Sequence, residues 1–158
     1  MITYIGIDLG QKGSVTIQSK LPGSKPVWTI YPFFQRHGEE TRQRTLTEQE
    51  LYELLRSIVR SSESFVTIER PVIMPGNGKK AICSLHENFG LIKGLLIGLG
   101  VSSFWYPVPI QWKKVVNAPG KDKDQMLVKA SRLTKAPKLS PMTADSVLIC
   151  EACRLHFQ

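Results

Sequence analysis

Residues 2 to 8, ITYIGID, are an apolar run of the β-branched and aromatic types that strands favour, and the run closes on a carboxylate, Asp8. Residues 13 to 18 then alternate, Val15 and Ile17 against Ser14, Thr16 and Gln18, which predicts a second strand with one face exposed. The QKG between them is short enough only for a hairpin. Whatever this chain folds into therefore opens with two antiparallel strands and carries an acid at the end of the first.

The rest of the pattern extends that start. After a Pro/Gly/Ser loop at 21 to 26, PVWTIYPF predicts a third strand, and the polar stretch from 35 to 45 predicts a loop. A helix follows with a marked beginning: Thr47 and Glu50 fit a capping box, Leu46 can staple onto Leu51, and Leu51, Leu54, Leu55, Ile58 and Val59 share one face. SFVTIER predicts a fourth strand ending at Glu69, while Pro71, Pro75, Gly76 and Gly78 break 71 to 80 into a loop. Residues 82 to 99 predict a long helix bearing Gly90, Gly94 and Gly98. Glycine weakens a helix, so these three predict a close backbone approach, either to the sheet or to a second subunit. SSFWYPVP predicts a fifth strand, IQWKKVV a short helix, APGKDKD a loop, and 124 to 134 a further helix. Thr143 is positioned to cap a last helix from Ala144 to about Phe157.

Three antiparallel strands, then helix, strand, helix, strand and helices, make an α/β domain with a mixed five-stranded sheet, the last two strands parallel. The 158 residues fit one domain, 1–158. Met1 leads straight into a strand without a basic start or a small-residue cleavage site, which predicts no secretory leader. The most apolar stretch, Phe89 to Val101, is interrupted by Lys93 and is shorter than the ~20 residues a membrane span needs.

Cys83, Cys150 and Cys153 make no disulfide framework, which predicts a reducing intracellular compartment, cytoplasm or organelle. Cys150 and Cys153 form a lone C-x-x-C. A zinc site would need a second ligand pair, to which only His156 could contribute, so small core residues are the expectation.

Charge says more. The formal net charge is +8, but residues 1 to 69 hold eight basic and eight acidic residues. The excess lies between 70 and 140: Arg70, Lys79, Lys80, Lys93, Lys113, Lys114, Lys121, Lys123, Lys129, Arg132, Lys135 and Lys138 against Glu87, Asp122 and Asp124. A one-sided excess of this kind is the footprint of a phosphate-backbone binder, or else a basic solvated surface.

Asp8 and Glu69 each close an apolar strand, and Asp145 stands at the start of the last helix in MTADSVLICEACR. If the first and fourth strands are neighbours, the three acids converge at one sheet edge. Unpaired, they would repel one another. A divalent cation removes the conflict, and ligands that are all oxygen suit Mg²⁺ or Mn²⁺. Three carboxylates beside a basic surface then point to metal-assisted phosphodiester hydrolysis, two ions roughly 4 Å apart clamping attacking and leaving oxygens. The plain alternative is three unrelated surface acids.

IGIDLG, VTIERP and TADSVLICEA, in this order, resemble the motifs of the RuvC-type Holliday junction resolvases of the RNase H-like superfamily. IERPVIMPGNGKK, HENFGLIKGLLIGLG and YPVPIQWKKVV look closest to the plastid and phage-like branch. The resemblance spans nearly the whole chain and implies an RNase H-like fold. It makes Asp8, Glu69 and Asp145 catalytic metal ligands and matches Lys113 and Lys123 to basic positions that contact the phosphate or assist catalysis, although the Lys113–Lys123 interval differs by one residue from the bacterial spacing. It further implies a homodimer, with Gly90, Gly94 and Gly98 at the contact, cutting two symmetric strands of a four-way DNA junction. Asn77, Lys79 and Lys80 of the 71–80 loop would enter the junction, with Arg70, Lys114 and Lys121 as further DNA contacts.

Two departures stand out. Bacterial members carry an acid or histidine about one turn before the final Asp, where this chain has Met142, and a thioether is a poor Mg²⁺ ligand. They also carry an aromatic residue soon after the glutamate, where this chain has Pro71, Val72 and Ile73. A non-catalytic branched-DNA module and a nuclease for flaps or RNA–DNA hybrids are the competing expectations. GIDLGQKGS also resembles the first phosphate loop of actin-like ATPases and sugar kinases, but the second lobe and second Asp-Gly motif are missing, so no nucleotide cofactor is expected.

Overall fold

The computed structural model describes residues 2–9, 13–36, 43–59, 63–73, 76, 78–120, 122–135 and 139–158. The antiparallel opening is present. β1 (Ile2–Asp8) pairs with β2 (Ser14–Lys20), placing Asp8 opposite Ser14, and β2 pairs with β3 (Val27–Pro32). The hairpin residues 10–12 lie outside the described set. Where polar composition predicts a loop, β4 (Phe34–Arg36) and β5 (Gln43–Thr45) form a separate antiparallel ribbon. Backbone pairing alone satisfies such a ribbon, so hydrophobic periodicity carries no sign of it.

α1 (Glu48–Ile58) starts as expected. The Thr47 hydroxyl accepts from the Glu50 N–H at 3.3 Å, and the Glu50 carboxylate accepts from the Thr47 N–H at 2.8 Å. β6 (Ser64–Ile68) then joins β1 in parallel, with Ile7 opposite Ile68. α2 runs from Lys79 to Gly98, three residues earlier than the sequence pattern predicts, so Lys79 and Lys80 belong to its first turn and not to the loop. It ends in a Schellman motif: Gly100, at φ 86°, donates to Ile97 and Val101 donates to Leu96. β7 (Ser103–Trp105) lies parallel to β6, giving the order β3-β2-β1-β6-β7, three antiparallel strands and then two parallel. α3 (Pro109–Val115), α4 (Lys123–Thr134) and α5 (Pro141–Phe157) complete the chain.

The sheet is covered on both faces. Ile5, Ile7, Val15, Ile17, Val66 and Ile68 pack against α1 and α2 through Leu51, Leu55, Ile58, Ile92 and Leu96. On the other face α5, with α3 and α4, builds a second core from Trp112, Val116, Met126, Ala130, Ala144, Val147 and Leu148. Tyr4 packs with Cys150 and Cys153 there. Both thiols are buried in the core, as expected, donating to the carbonyls of Tyr4 and Phe65, and burial pushes the Cys153 thiol up to about 12. Among the described residues no helix is long and apolar enough to cross a membrane.

Two expectations about faces are overturned. β2 was predicted to expose Ser14, Thr16 and Gln18, yet all three are buried. They lie under α5, where Ser146 donates to the Thr143 carbonyl and accepts from Ser14 Oγ at 2.6 Å and Thr16 Oγ1 at 2.7 Å. A polar strand face can be buried when a helix brings the matching hydroxyl. The α2 glycines fare oppositely: a Cβ at Gly90, Gly94 or Gly98 would meet nothing among the described residues within 4 Å, so the sheet is not what approaches them.

Candidate active site

Alternation along the strands aims the first two acids. Tyr4 and Gly6 face α5, so Asp8, of the same parity, closes β1 on the α5 side. Glu69 follows β6 with the parity of Phe65, which packs on the same side, and its N–H donates to the Ile7 carbonyl at 3.2 Å. Parallel register thus sets Glu69 beside Asp8 at the carboxyl ends of neighbouring strands.

α5 brings the third acid. Its cap is Ser140, which accepts from the Met142 N–H at 3.0 Å, and not Thr143, whose hydroxyl donates to the Ser140 carbonyl. Pro141, pre-set for the first helical position, extends the helix one turn earlier than the pattern indicates. Asp145 therefore lies in the second turn, next to Ser146, which is tied to Ser14, the residue opposite Asp8. Lys123, the first residue of α4, meets Asp145 Oδ2 at 2.6 Å. The other oxygen, Oδ1, is buried and has no hydrogen-bond partner among the described residues.

Glu69 lies within the electrostatic reach of both other acids. Glu69 is pushed up to about 7, first by burial, then by the charges of Asp8 and Asp145; a hydrogen bond from Trp112 and the charge of Lys113 act in the opposite sense. Trp112 Nε1 donates to Glu69 Oε2 at 2.5 Å. Lys113 holds its ammonium 5.4 Å from the Trp112 ring and 3.4 Å from the Gly120 carbonyl.

Five of the singled-out residues, Asp8, Glu69, Asp145, Lys113 and Lys123, thus belong to one locality. Arg70, Lys79, Lys80 and Lys114 are exposed, and the Arg70 N–H anchors its loop by donating to the Pro107 carbonyl at 2.8 Å. Asn77 and Lys121 lie outside the described residues. Met142 is 39% exposed, one turn before Asp145. Sequence reasoning missed Gly6, Ser146 and Trp112. The signals were a glycine inside a strand, a serine inside an apolar helix stretch and a tryptophan beside the predicted lysine.

Whether the group fits a cation is a question of donors. All three are carboxylates, Asp145 Oδ1 is an orphaned buried acceptor, and Glu69 bears a desolvation cost that an adjacent positive charge would offset. These features fit a hard divalent ion. Among the described residues no three or more His, Cys, Asp or Glu side chains are gathered closely enough, as they stand, to hold a metal ion, so the three acids share a locality without forming a ready-made site.

Solved structures with the same arrangement settle the fold. RuvC of Thermus thermophilus matches with TM-score 0.66 and 15% identity over 99% of this chain and 95% of its own. The fold is RNase H-like. Thermus thermophilus RuvC in complex with a Holliday junction substrate matches this RNase H-like chain with TM-score 0.68 and 11% identity, again over 99% and 95%. The yeast mitochondrial Holliday junction resolvase Ydc2 gives TM-score 0.53 and 16% identity over 96% of this chain and 77% of its own. No family model matches the sequence, and no curated protein matches it by sequence.

Proposed function

We propose that this chain is a structure-selective endodeoxyribonuclease that resolves four-way DNA junctions by metal-dependent phosphodiester hydrolysis. The observation that carries the reading is the meeting of Asp8, Glu69 and Asp145 at one sheet edge, with Lys123 on Asp145 and Lys113 in the field of Glu69. The likeness to RuvC and to Ydc2 supports junction DNA as the substrate.

Asp8, Glu69 and Asp145 would hold Mg²⁺ or Mn²⁺, two ions per site. When bound, the cations supply Lewis-acid polarisation and charge neutralisation at the scissile phosphate. Lys113 and Lys123 add positive charge where the phosphate becomes more negative, and Lys123 orients Asp145 through its ion pair. Arg70, Lys79, Lys80 and Lys114, with Asn77 and Lys121, bind backbone phosphates and fix the junction's orientation. The stretches IERPVIMPGNGKK and YPVPIQWKKVV support a place in the plastid and phage-like branch of these resolvases. A homodimer related by the open Gly90, Gly94, Gly98 face of α2 would present two sites for paired symmetric nicks. Three free cysteines suit a reducing intracellular compartment.

A second reading, a branched-DNA-binding module without cleavage, is favoured by Met142 and by the lack, among the described residues, of any three His, Cys, Asp or Glu side chains placed to hold a metal ion. Incubating a synthetic four-way junction with the protein, with and without Mg²⁺, separates the two. Paired nicks that need Mg²⁺ and vanish in Asp8→Asn support the nuclease. Tight binding without cutting supports the module, and faster cutting of flaps or RNA–DNA hybrids would replace the junction as substrate.

A further inference from the structure

We propose that Trp112 is a positioning residue of the carboxylate group: its indole N–H takes one oxygen of Glu69 so that the other is presented to the cation shared with Asp8 and Asp145. The proposal rests on the metal-dependent reading above.

Trp112 is 1% exposed and heads the fully buried side chains by volume. Its N–H can only donate, and a buried donor needs an acceptor. That acceptor is Glu69 Oε2, at 2.5 Å. Packing alone would not require it, since phenylalanine or leucine fills a core without a polar atom. The ring is held in the cluster formed with Val116, Met126, Ala144, Val147 and Leu148. Ala144 and Val147 flank Asp145 on α5, so one immobile ring ties the orientation of Glu69 to the helix that carries the third acid.

Trp112 and Lys113 are consecutive residues of α3, so one short helix sets both the indole that meets Glu69 and the neighbouring ammonium. A donor that orients a ligating carboxylate changes metal affinity or activity about 10–100-fold when removed.

Trp112→Phe keeps an aromatic ring and deletes the donor. Calorimetric titration of the full chain with Mn²⁺, without DNA, should show affinity weakened about 10–100-fold relative to wild type, with the far-ultraviolet spectrum and junction affinity retained. Junction cleavage should shift its half-saturating metal concentration by the same factor, while kcat at saturating metal changes only a few-fold. A folded Trp112→Phe that binds Mn²⁺ like wild type, while Glu69→Gln binds it weakly, overturns the role of Trp112 alone. Wild type and Glu69→Gln binding Mn²⁺ equally overturns the metal reading and this proposal with it. Should Trp112→Phe not fold, the three indole N–H resonances of the protein serve instead, assigned through Trp28→Phe and Trp105→Phe. The Trp112 resonance should move on adding Mg²⁺ and lose that response in Glu69→Gln; an unmoved resonance overturns the proposal.

Discussion

Gly6 of β1 lies against the backbone of Cys150 on α5: a Cβ at residue 6 would stand 2.2 Å from the Cys150 nitrogen and 2.5 Å from its Cα. No side chain separates helix from sheet at this crossing, which sets how near Asp145 comes to Asp8. Gly6→Ala has no flexible neighbour to displace and forces backbone to move. It should destabilise the protein by about 3 kcal/mol, at the upper end for an overpacked core. It should also reduce cleavage more than the lost stability explains, because α5 must lift. Urea unfolding, together with cleavage under conditions where the variant is fully folded, checks both.

Glu69 should make the metal-free protein less stable as pH rises. Its pKa is raised from 4.5 to about 7, so the folded state binds the proton more tightly than the unfolded chain. Its favourable contribution is complete below pH 4.5 and is lost as pH climbs through 7. Allowing for solvent screening, the loss is about 2 kcal/mol. Urea midpoints in chelator should therefore fall for wild type between pH 5 and 8, relative to Glu69→Gln, which should be the more stable protein at pH 8. Adding Mg²⁺ should stabilise wild type more than the variant.

Asp8→Asn, Glu69→Gln and Asp145→Asn remove charge without removing volume. Each should abolish junction cleavage, by at least about 1,000-fold, while binding in Ca²⁺ or chelator stays within a few-fold. Gel assays of the same protein preparations read both quantities, and substantial residual cleavage by any of the three would remove that residue from the machinery.

Lys79 and Lys80 occupy the exposed first turn of α2. Changing both to alanine should weaken junction binding and lower the slope of log K against log salt by roughly 2, one unit for each lost phosphate contact. Cleavage at saturating protein should be little altered. Binding isotherms at several salt concentrations measure the slope, and an unchanged slope would move the DNA path away from this turn.

Much of the fold was legible because its signals are local. The capping box at Thr47 and Glu50 and the apolar strand ends at Asp8 and Glu69 reside in a few consecutive residues each. Lys79 and Lys80 were misassigned to a loop because Gly76 and Gly78 end the irregular stretch just before a helix that needs no side-chain cap. Trp112 drew no notice in the sequence, since nothing near it in the chain reveals that its nitrogen donates to Glu69, 43 residues away.

The sequence by itself determined the order and period of the elements, and hence the antiparallel start and the acid closing each of two apolar strands, because alternation and helical spacing act over neighbouring residues; that β6 lies beside β1 came from the structure. Only the tertiary structure decided that α5 presses on Gly6, that Ser14 and Thr16 are buried against Ser146, and that Lys123 and Trp112 reach the carboxylates. Those outcomes depend on which distant surface covers a face, and burial and hydrogen bonding between remote segments leave no period in the chain.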